Sequence, residues 1–180
     1  MGFLDLAGKR RSARKYSPKP IPRDIIDRCL EAARLAPSAC NSQPWSFIVI
    51  DDDELKNKII KKAFSGVYSM NRFIKNAPVL IVMVTERSTY LARLGGYFRG
   101  MQFSLIDIGI ACEHLVLQAE EEGLGTCWLG WFNERAIKKI LGISRKNKVD
   151  ILISMGYPEK EEREKRGRKP LGEIRKFNLE

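Results

Sequence analysis

The nine residues Pro37-Ser38-Ala39-Cys40-Asn41-Ser42-Gln43-Pro44-Trp45 concentrate hydroxyl and amide groups in one short turn. A proline near each end restricts the backbone. Ser38, Asn41 and Gln43 carry donors and acceptors of the kind that the polar edge of a heteroaromatic ring needs. Residue by residue, Ser and Asn are also ordinary turn formers, so a helix-to-strand loop is the plainer reading of each alone. The other chemical segment lies some twenty residues upstream. Arg10, Arg11, Ser12 and Arg14 fall in a stretch, Lys9 to Arg23, with seven basic residues and no acidic one. Guanidinium groups offer paired donors that match phosphate oxygens, and a serine hydroxyl adds another. Taken alone, the same stretch reads equally as a solvated arm or as a nucleic-acid arm, although only Tyr16 supplies an interleaved aromatic ring.

The elements that must position these groups follow from periodicity and punctuation. Phe3–Arg14 has the composition of a short helix that ends before the prolines at 18, 20 and 22. Pro22 suits a helix start, and Ile25, Ile26, Cys29, Leu30 and Ala33 keep helical spacing until Pro37. Phe47–Ile50 reads as a strand, a helix capped by Asp52 or Asp53 follows, and Pro78–Thr85 reads as a buried central strand. Gly66–Asn76 carries no clear period. Glu86–Gly100, with three arginines, three glycines and two tyrosines, reads as a connection. Met101–Glu122 is the strongest helix, stopped by Gly123. Its middle is apolar around nearly the whole circumference, so it must be enclosed, and a partner subunit is the expected source of the second wall. Gly125–Trp131 is a strand, Asn133 caps a helix to about Leu141, and Val149–Tyr157 is a last core strand. A charged linker and a small apolar tail, Leu171, Ile174 and Phe177, complete the chain. Helices and strands interleaved around one sheet favour an α+β or α/β layered fold.

Bulk properties narrow the function classes. A chain of 180 residues with 44% hydrophobic and 30% charged residues is expected to be one globular domain. The net charge of +10 points to an anionic partner: nucleic acid, a membrane surface or a phosphorylated ligand. Four cysteines without a C-x-x-C pair, and His114 as the lone histidine, argue against a zinc site and for reduced, mostly buried thiols. There is no secretory signal pattern, and the longest clean apolar run, Ala77–Val84, is too short to cross a bilayer. No Ser/His/Asp or Cys/His arrangement is present to carry nucleophilic catalysis. His114 is expected to make a structural hydrogen bond, Asp107 to be a satisfied polar group at a subunit contact, and Cys127 to be core. Trp45, Trp128 and Trp131 either wall a pocket or fill the core.

Four ordered segments taken together resemble the nitroreductase family, which uses FMN. They are Arg10-Arg11-Ser12-Ala13-Arg14, the 37–45 string, Gly123-Leu124-Gly125-Thr126-Cys127, and Arg166-Gly167-Arg168-Lys169-Pro170-Leu171. The resemblance implies an α+β fold with a central mixed, largely antiparallel sheet flanked by helices, in an obligate homodimer. It implies one domain over 1–180, whose segment 158–180 reaches the partner subunit. By the same resemblance, Arg10, Arg11, Ser12, Arg14, Arg166 and Arg168 would hold the FMN phosphate and ribityl end. Pro37, Ser38, Ala39 and Asn41 would reach the cofactor from the other subunit, Leu129 and Gly130 would lie near the reactive ring, and Asn71 would touch the flavin.

The implied activity is transfer of reducing equivalents from NAD(P)H through FMN to small aromatic acceptors such as nitroaromatics or quinones, in ping-pong order. No side chain acts as the catalytic group and no metal is involved, because the flavin carries the chemistry. The expected setting is cytoplasmic, without nucleic-acid or membrane partners. The alternative is a flavin-binding redox module with specialised turnover or none. One departure from the family is the short Glu86–Gly100 stretch, where longer members carry covering helices. Tyr90, Tyr97, Phe98 and Arg99 are the candidates to line a reduced lid.

Overall fold

A computed structural model describes residues 2–86, 97, 100–159 and 167–178. Four strands form one sheet: β1 (Trp45–Ile50), β2 (Val79–Thr85), β3 (Gly125–Leu129) and β4 (Lys148–Gly156), in the spatial order β1-β2-β4-β3. All three pairings are antiparallel. An isolated parallel bridge, Ser12 with Thr126, adds a mixed element at the β3 edge. β2 is buried along its whole length, as its unbroken apolar run requires when both sheet faces are covered.

Two helical layers cover the sheet. On one face, α2 (Arg23–Arg34) and α4 (Phe103–Glu121) bury Ile26, Cys29 and Ala33 with Ile108, Ala111, Cys112, Leu115, Val116 and Ala119 against Val79, Ile81, Met83, Ile153 and Met155. On the other face, α3 (Asp53–Ala63), a 3₁₀ segment (Gly66–Asn76) and α5 (Glu134–Leu141) enclose Ile59, Phe64, Ile74 and Ile137 with Leu80, Val82, Val84, Leu129 and Leu152. Capping places these helices where the sequence marks them. Asp52 accepts from Leu55 N at 2.7 Å, and Asn133 accepts from Ala136 N at 3.1 Å. Gly123, at φ 76, ends the turn that stops α4, a left-handed conformation that glycine adopts without steric cost.

The N-terminal segment departs from expectation. Helix α1 covers only Phe3–Lys9. Residues 10–17 are drawn out along the sheet edge instead. Ala13 N donates to Thr126 O at 2.8 Å and Ser17 N to Tyr157 O at 2.9 Å. Tyr16, 3% exposed, is the pin: its hydroxyl donates to Ala13 O at 2.6 Å and meets Ser154 Oγ at 2.8 Å. Burial pushes that phenol above its usual range. Non-local strand pairing has overridden a local helical pattern, and the arm that bears the arginines is thereby fixed against β3 and the end of β4.

That docking depends on Gly156. A Cβ there would stand 2.5 Å from Pro78 Cδ and 2.8 Å from Tyr16 Cδ1. Gly156→Ala is therefore expected to cost about 1–3 kcal/mol, the usual range for overpacking, and to lower the thermal midpoint by several degrees. An unchanged midpoint would mean that the arm does not need this close approach.

Candidate functional site

Three groups of residues are placed by this scaffold. The first is the basic arm. Arg11 turns back on α1, its Nη1 donating to Gly8 O at 2.6 Å and to Arg10 O at 2.9 Å. Its Nε is buried without a hydrogen-bond partner among the described residues. An unsatisfied buried donor is costly, and an anionic oxygen beside the arm would satisfy it. Arg10 Nε lies 3.9 Å from Glu113 Oε1 on α4. Burial holds the Glu113 carboxyl above its ordinary range despite that guanidinium. Arg14 is exposed and makes no ion pair among the described residues. The arm offers the groups that an anion site needs: a fixed backbone, several guanidinium groups and a serine.

The second group is the amide loop. Ala39–Asn41 form a 3₁₀ turn, and Cys40, Asn41 and Gln43 all have positive φ, at 52°, 50° and 43°. Three such non-glycine residues within four positions are strained, and strain of this kind persists only where the surroundings over-determine it. Ser38 Oγ accepts from Gln43 N at 3.0 Å, which leaves its own proton free to donate. Asn41 Oδ1 accepts from Gln43 Nε2 at 3.2 Å, which leaves the amide N–H groups of the exposed Asn41 without a hydrogen bond among the described residues. The loop is suspended from α4 by Asp107, which is 3% exposed: Oδ1 accepts from Ala39 N at 3.0 Å and Oδ2 from Ser42 Oγ at 3.4 Å. Asp107 is thus satisfied within its own chain, by the loop.

The third group gathers at the end of β3. Leu129 is buried, and Gly130 has nothing within 4 Å of where a Cβ would lie, so the space on that side of the residue is open. Trp131 follows, 54% exposed. Its Nε1 donates to Val67 O at 2.8 Å, while Asn71 Nδ2 donates to Trp131 O at 3.1 Å. The Tyr68 ring packs on the indole at 5.4 Å between centroids. With its amide nitrogen engaged, Asn71 keeps Oδ1 as an acceptor, the complement of an imide N–H on a heteroaromatic ring. Of the sequence candidates, Asn71, Leu129 and Gly130 therefore come together. Arg168 is exposed on the tail, with its Nη1 on Gly167 O at 3.2 Å, and Arg166, Tyr90, Phe98 and Arg99 lie outside the described residues. Tyr97 is exposed.

Sequence reading gave Asp107 as a satisfied polar group at a subunit contact and left Trp131 between pocket wall and core; it missed that Asp107 carries the loop of its own chain and that Trp131 holds the 3₁₀ segment. An acidic residue inside an otherwise apolar helix was the available signal for the first, and an indole immediately after Gly130 for the second. The remaining single residues behave as read. His114 Nδ1 meets Ala32 O at 3.2 Å, and Cys127 is buried. Cys40 is the exception among the thiols, since it is exposed. Burial pushes Cys29 and Cys112 up to about 12, which makes them inert thiols. Among the described residues no helix is long and apolar enough to cross a membrane.

The three groups fit a flavin mononucleotide: guanidinium groups for a phosphate, free amide and hydroxyl donors, and an amide acceptor beside open backbone for a ring edge. Comparison with known proteins gives the same direction. Residues 7–157 match the family model described as Nitroreductase family. A putative NADH dehydrogenase/NAD(P)H nitroreductase of Archaeoglobus fulgidus is 34% identical, over 88% of this chain and 86% of that protein. The solved FMN-dependent nitroreductase of Clostridium difficile R20291 superposes with a TM-score of 0.77 at 29% identity, covering 98% of this chain and 99% of that one. An iodotyrosine deiodinase of Thermotoga neapolitana is 25% identical over 87% of this chain and 89% of its own length.

Proposed function

The chain belongs to the nitroreductase family, and from that premise we propose that it is a homodimeric NAD(P)H-dependent FMN oxidoreductase acting on small planar aromatic acceptors. FMN would supply the redox chemistry, taking a hydride from the nicotinamide and passing reducing equivalents to the acceptor. The chain's own residues bind and orient. Arg10, Arg11, Ser12 and Arg14, joined by Arg166 and Arg168, hold the phosphate end. Ser38 and Asn41, in the turn opened by Pro37 and Ala39, donate to the ring system. Asn71 would accept at the imide edge, and the backbone at Leu129 and Gly130 would lie beside the ring. Trp131 and Tyr68 supply an aromatic wall against which a flat acceptor can stack.

The dimer is supported by the direction in which the groups face. Asp107, which carries the amide loop, and Glu113, which meets Arg10, are six residues apart on α4 and so point about 120° away from each other. Within one chain, arm and loop lie on different sides of that helix. β1 and β3 are also opposite sheet edges, about 14 Å apart at ordinary strand spacing. A second copy brings an arm and a loop to one ligand. The exposed apolar residues agree: Leu105 and Ile106 on α4 are 46% and 47% exposed, so one chain leaves these two side chains only half covered. Phe3, Leu4, Leu171, Ile174 and Phe177 are likewise open, in the two terminal segments that would embrace a partner within a single-domain protomer.

The observation that carries the reading is the pairing of an anion-binding arm with a strained amide loop in a chain of this family. The test is anaerobic: reconstitute the protein with FMN, reduce with NADH and NADPH in parallel, then mix with a quinone or a nitroaromatic. Stoichiometric uptake, reduction by a nicotinamide and rapid reoxidation are expected. A protein that takes up no FMN would contradict the reading. The likeness to a deiodinase gives a second reading, reductive loss of iodide from an iodinated phenol. An iodotyrosine arm of the same assay, scored by released iodide, separates the two.

A further inference from the structure

The positive charge is not spread over the molecule. Residues 53–76 and 134–148 contain twelve Lys or Arg against three Asp or Glu, a surplus of nine. The whole chain has a net charge of +10, so the other residues, with twenty basic and nineteen acidic side chains, are almost balanced. The two basic segments are the helical layer on one sheet face: α3, the 3₁₀ segment, α5 and the connection into β4, packed on one another around Ile59, Ile74 and Ile137. Ten of the twelve are exposed: Lys58, Lys61 and Lys62 on α3, Arg72 and Lys75 on the 3₁₀ segment, Arg135 and Lys139 on α5, and Arg145, Lys146 and Lys148 beyond it. None of the ten makes an ion pair among the described residues, whereas Lys56 and Lys138 pair with Asp53 and Glu134. On the opposite layer the exposed arginines are neutralised, Arg23 by Asp51, Arg28 by Asp24 and Glu122, and Arg34 by Glu31.

We propose that this face is the docking surface for an acidic, one-electron carrier protein that reduces the bound flavin in place of, or beside, a nicotinamide. The inference rests on the flavin reading for its destination. Position argues for it: the basic layer contains Asn71 and Arg72, so it runs up to the end of β3, where the flavin reading would put the ring edge, and it lies on the sheet face away from α4 with its half-exposed Leu105 and Ile106. Composition argues for a protein rather than nucleic acid. Seven of the ten exposed cations are lysines, point charges that steer a transient encounter without fixed geometry, whereas phosphate backbones favour the forked arginine. No aromatic platform accompanies them away from Trp131. Encounters of redox partners are small and charge-guided, as such a face permits. In the transfer, two reduced carriers each lose one electron, two protons are taken from water, and one flavin is fully reduced while the carriers leave oxidised.

The experiment uses the FMN-loaded protein and, as probe, an acidic [2Fe–2S] ferredoxin, with binding measured by calorimetry at low and moderate salt. Affinity is expected in the micromolar range and should fall at least tenfold as salt rises. Lys58→Glu/Lys61→Glu/Lys62→Glu should weaken it at least tenfold. Arg23→Glu/Arg28→Glu/Arg34→Glu, an equal charge change on α2 in the other layer, should change it less than threefold. Equal losses in the two variants, or no binding by the unaltered protein, would overturn the proposal. So would a short DNA duplex that binds the same face more tightly than the ferredoxin. Because FMN content is read separately, a protein that holds FMN but ignores the ferredoxin sinks this inference alone. One that holds no FMN sinks the flavin reading.

Discussion

Asp107→Ala is expected to lower FMN affinity by about 10- to 100-fold. Its side chain takes the Ala39 N–H and the Ser42 hydroxyl, both part-buried, and leaving such donors unmatched costs about 1–3 kcal/mol, which is roughly that span in a dissociation constant. The loop has reason to relax once released, because Cys40, Asn41 and Gln43 each sit at positive φ and strain of this kind costs on the order of 1–3 kcal/mol per residue. Asp107→Asn is the informative companion. Its amide oxygen still accepts from Ala39 N and its amide nitrogen donates to Ser42 Oγ, so most of the affinity should return. Fluorescence titration of both apo-proteins with FMN, alongside circular dichroism, reads the result. Equal affinities for wild type and the alanine variant would remove Asp107 from the site's support. A loss in the alanine variant without rescue by asparagine would show that the loop's hydrogen bonds are not the reason.

Leu105→Glu with Ile106→Glu should have a larger effect still. Both residues are about half exposed in the single chain, so charges there leave the protomer's own core intact. At a subunit contact the same charges must be desolvated without partners, which costs several kcal/mol. Sedimentation should find monomers at micromolar concentration, and flavin should be lost in the same variant, because the arm and loop that share one ligand are then separated. A monomer that keeps FMN, or a dimer unaffected by the two charges, would each contradict the shared site.

Much of this arrangement was legible in the amino-acid sequence, for local reasons. Asn133 and Asp52 announce their helices because a capping side chain acts within three residues. β2 is recognisable as central because a strand covered on both faces needs an unbroken apolar run. The family resemblance was legible for the same reason: its motifs are contiguous strings. What escaped was non-local. The helical composition runs to Arg14, but the arm from Arg10 to Ser17 takes its hydrogen bonds from Thr126 and Tyr157, more than a hundred positions away. Gly66–Asn76 has no simple period because it is a 3₁₀ segment held by Trp131. Asp107 looks like an anomaly in an apolar helix until the loop 68 residues earlier is folded onto it. The basic face is divided between two segments nearly sixty residues apart, which only the packing of α3 on α5 unites. The antiparallel order β1-β2-β4-β3 likewise depends on pairings that no local pattern encodes.

The central claim is that each flavin is held by the basic arm of one chain and the amide loop of its partner. Mixed dimers test it directly. Arg10→Ala/Arg14→Ala removes the arm's cations, and Asp107→Ala disables the loop, so each homodimer should be poor in FMN. In a mixed dimer, one site then receives both defects and the other receives an intact arm from the Asp107→Ala chain with an intact loop from the arginine-deficient chain. Co-refolding the two variants with different affinity tags, isolating the doubly tagged species and titrating with FMN should recover one tight site per dimer. Mixed dimers as poor in flavin as both parents would place arm and loop in the same protomer and contradict the account.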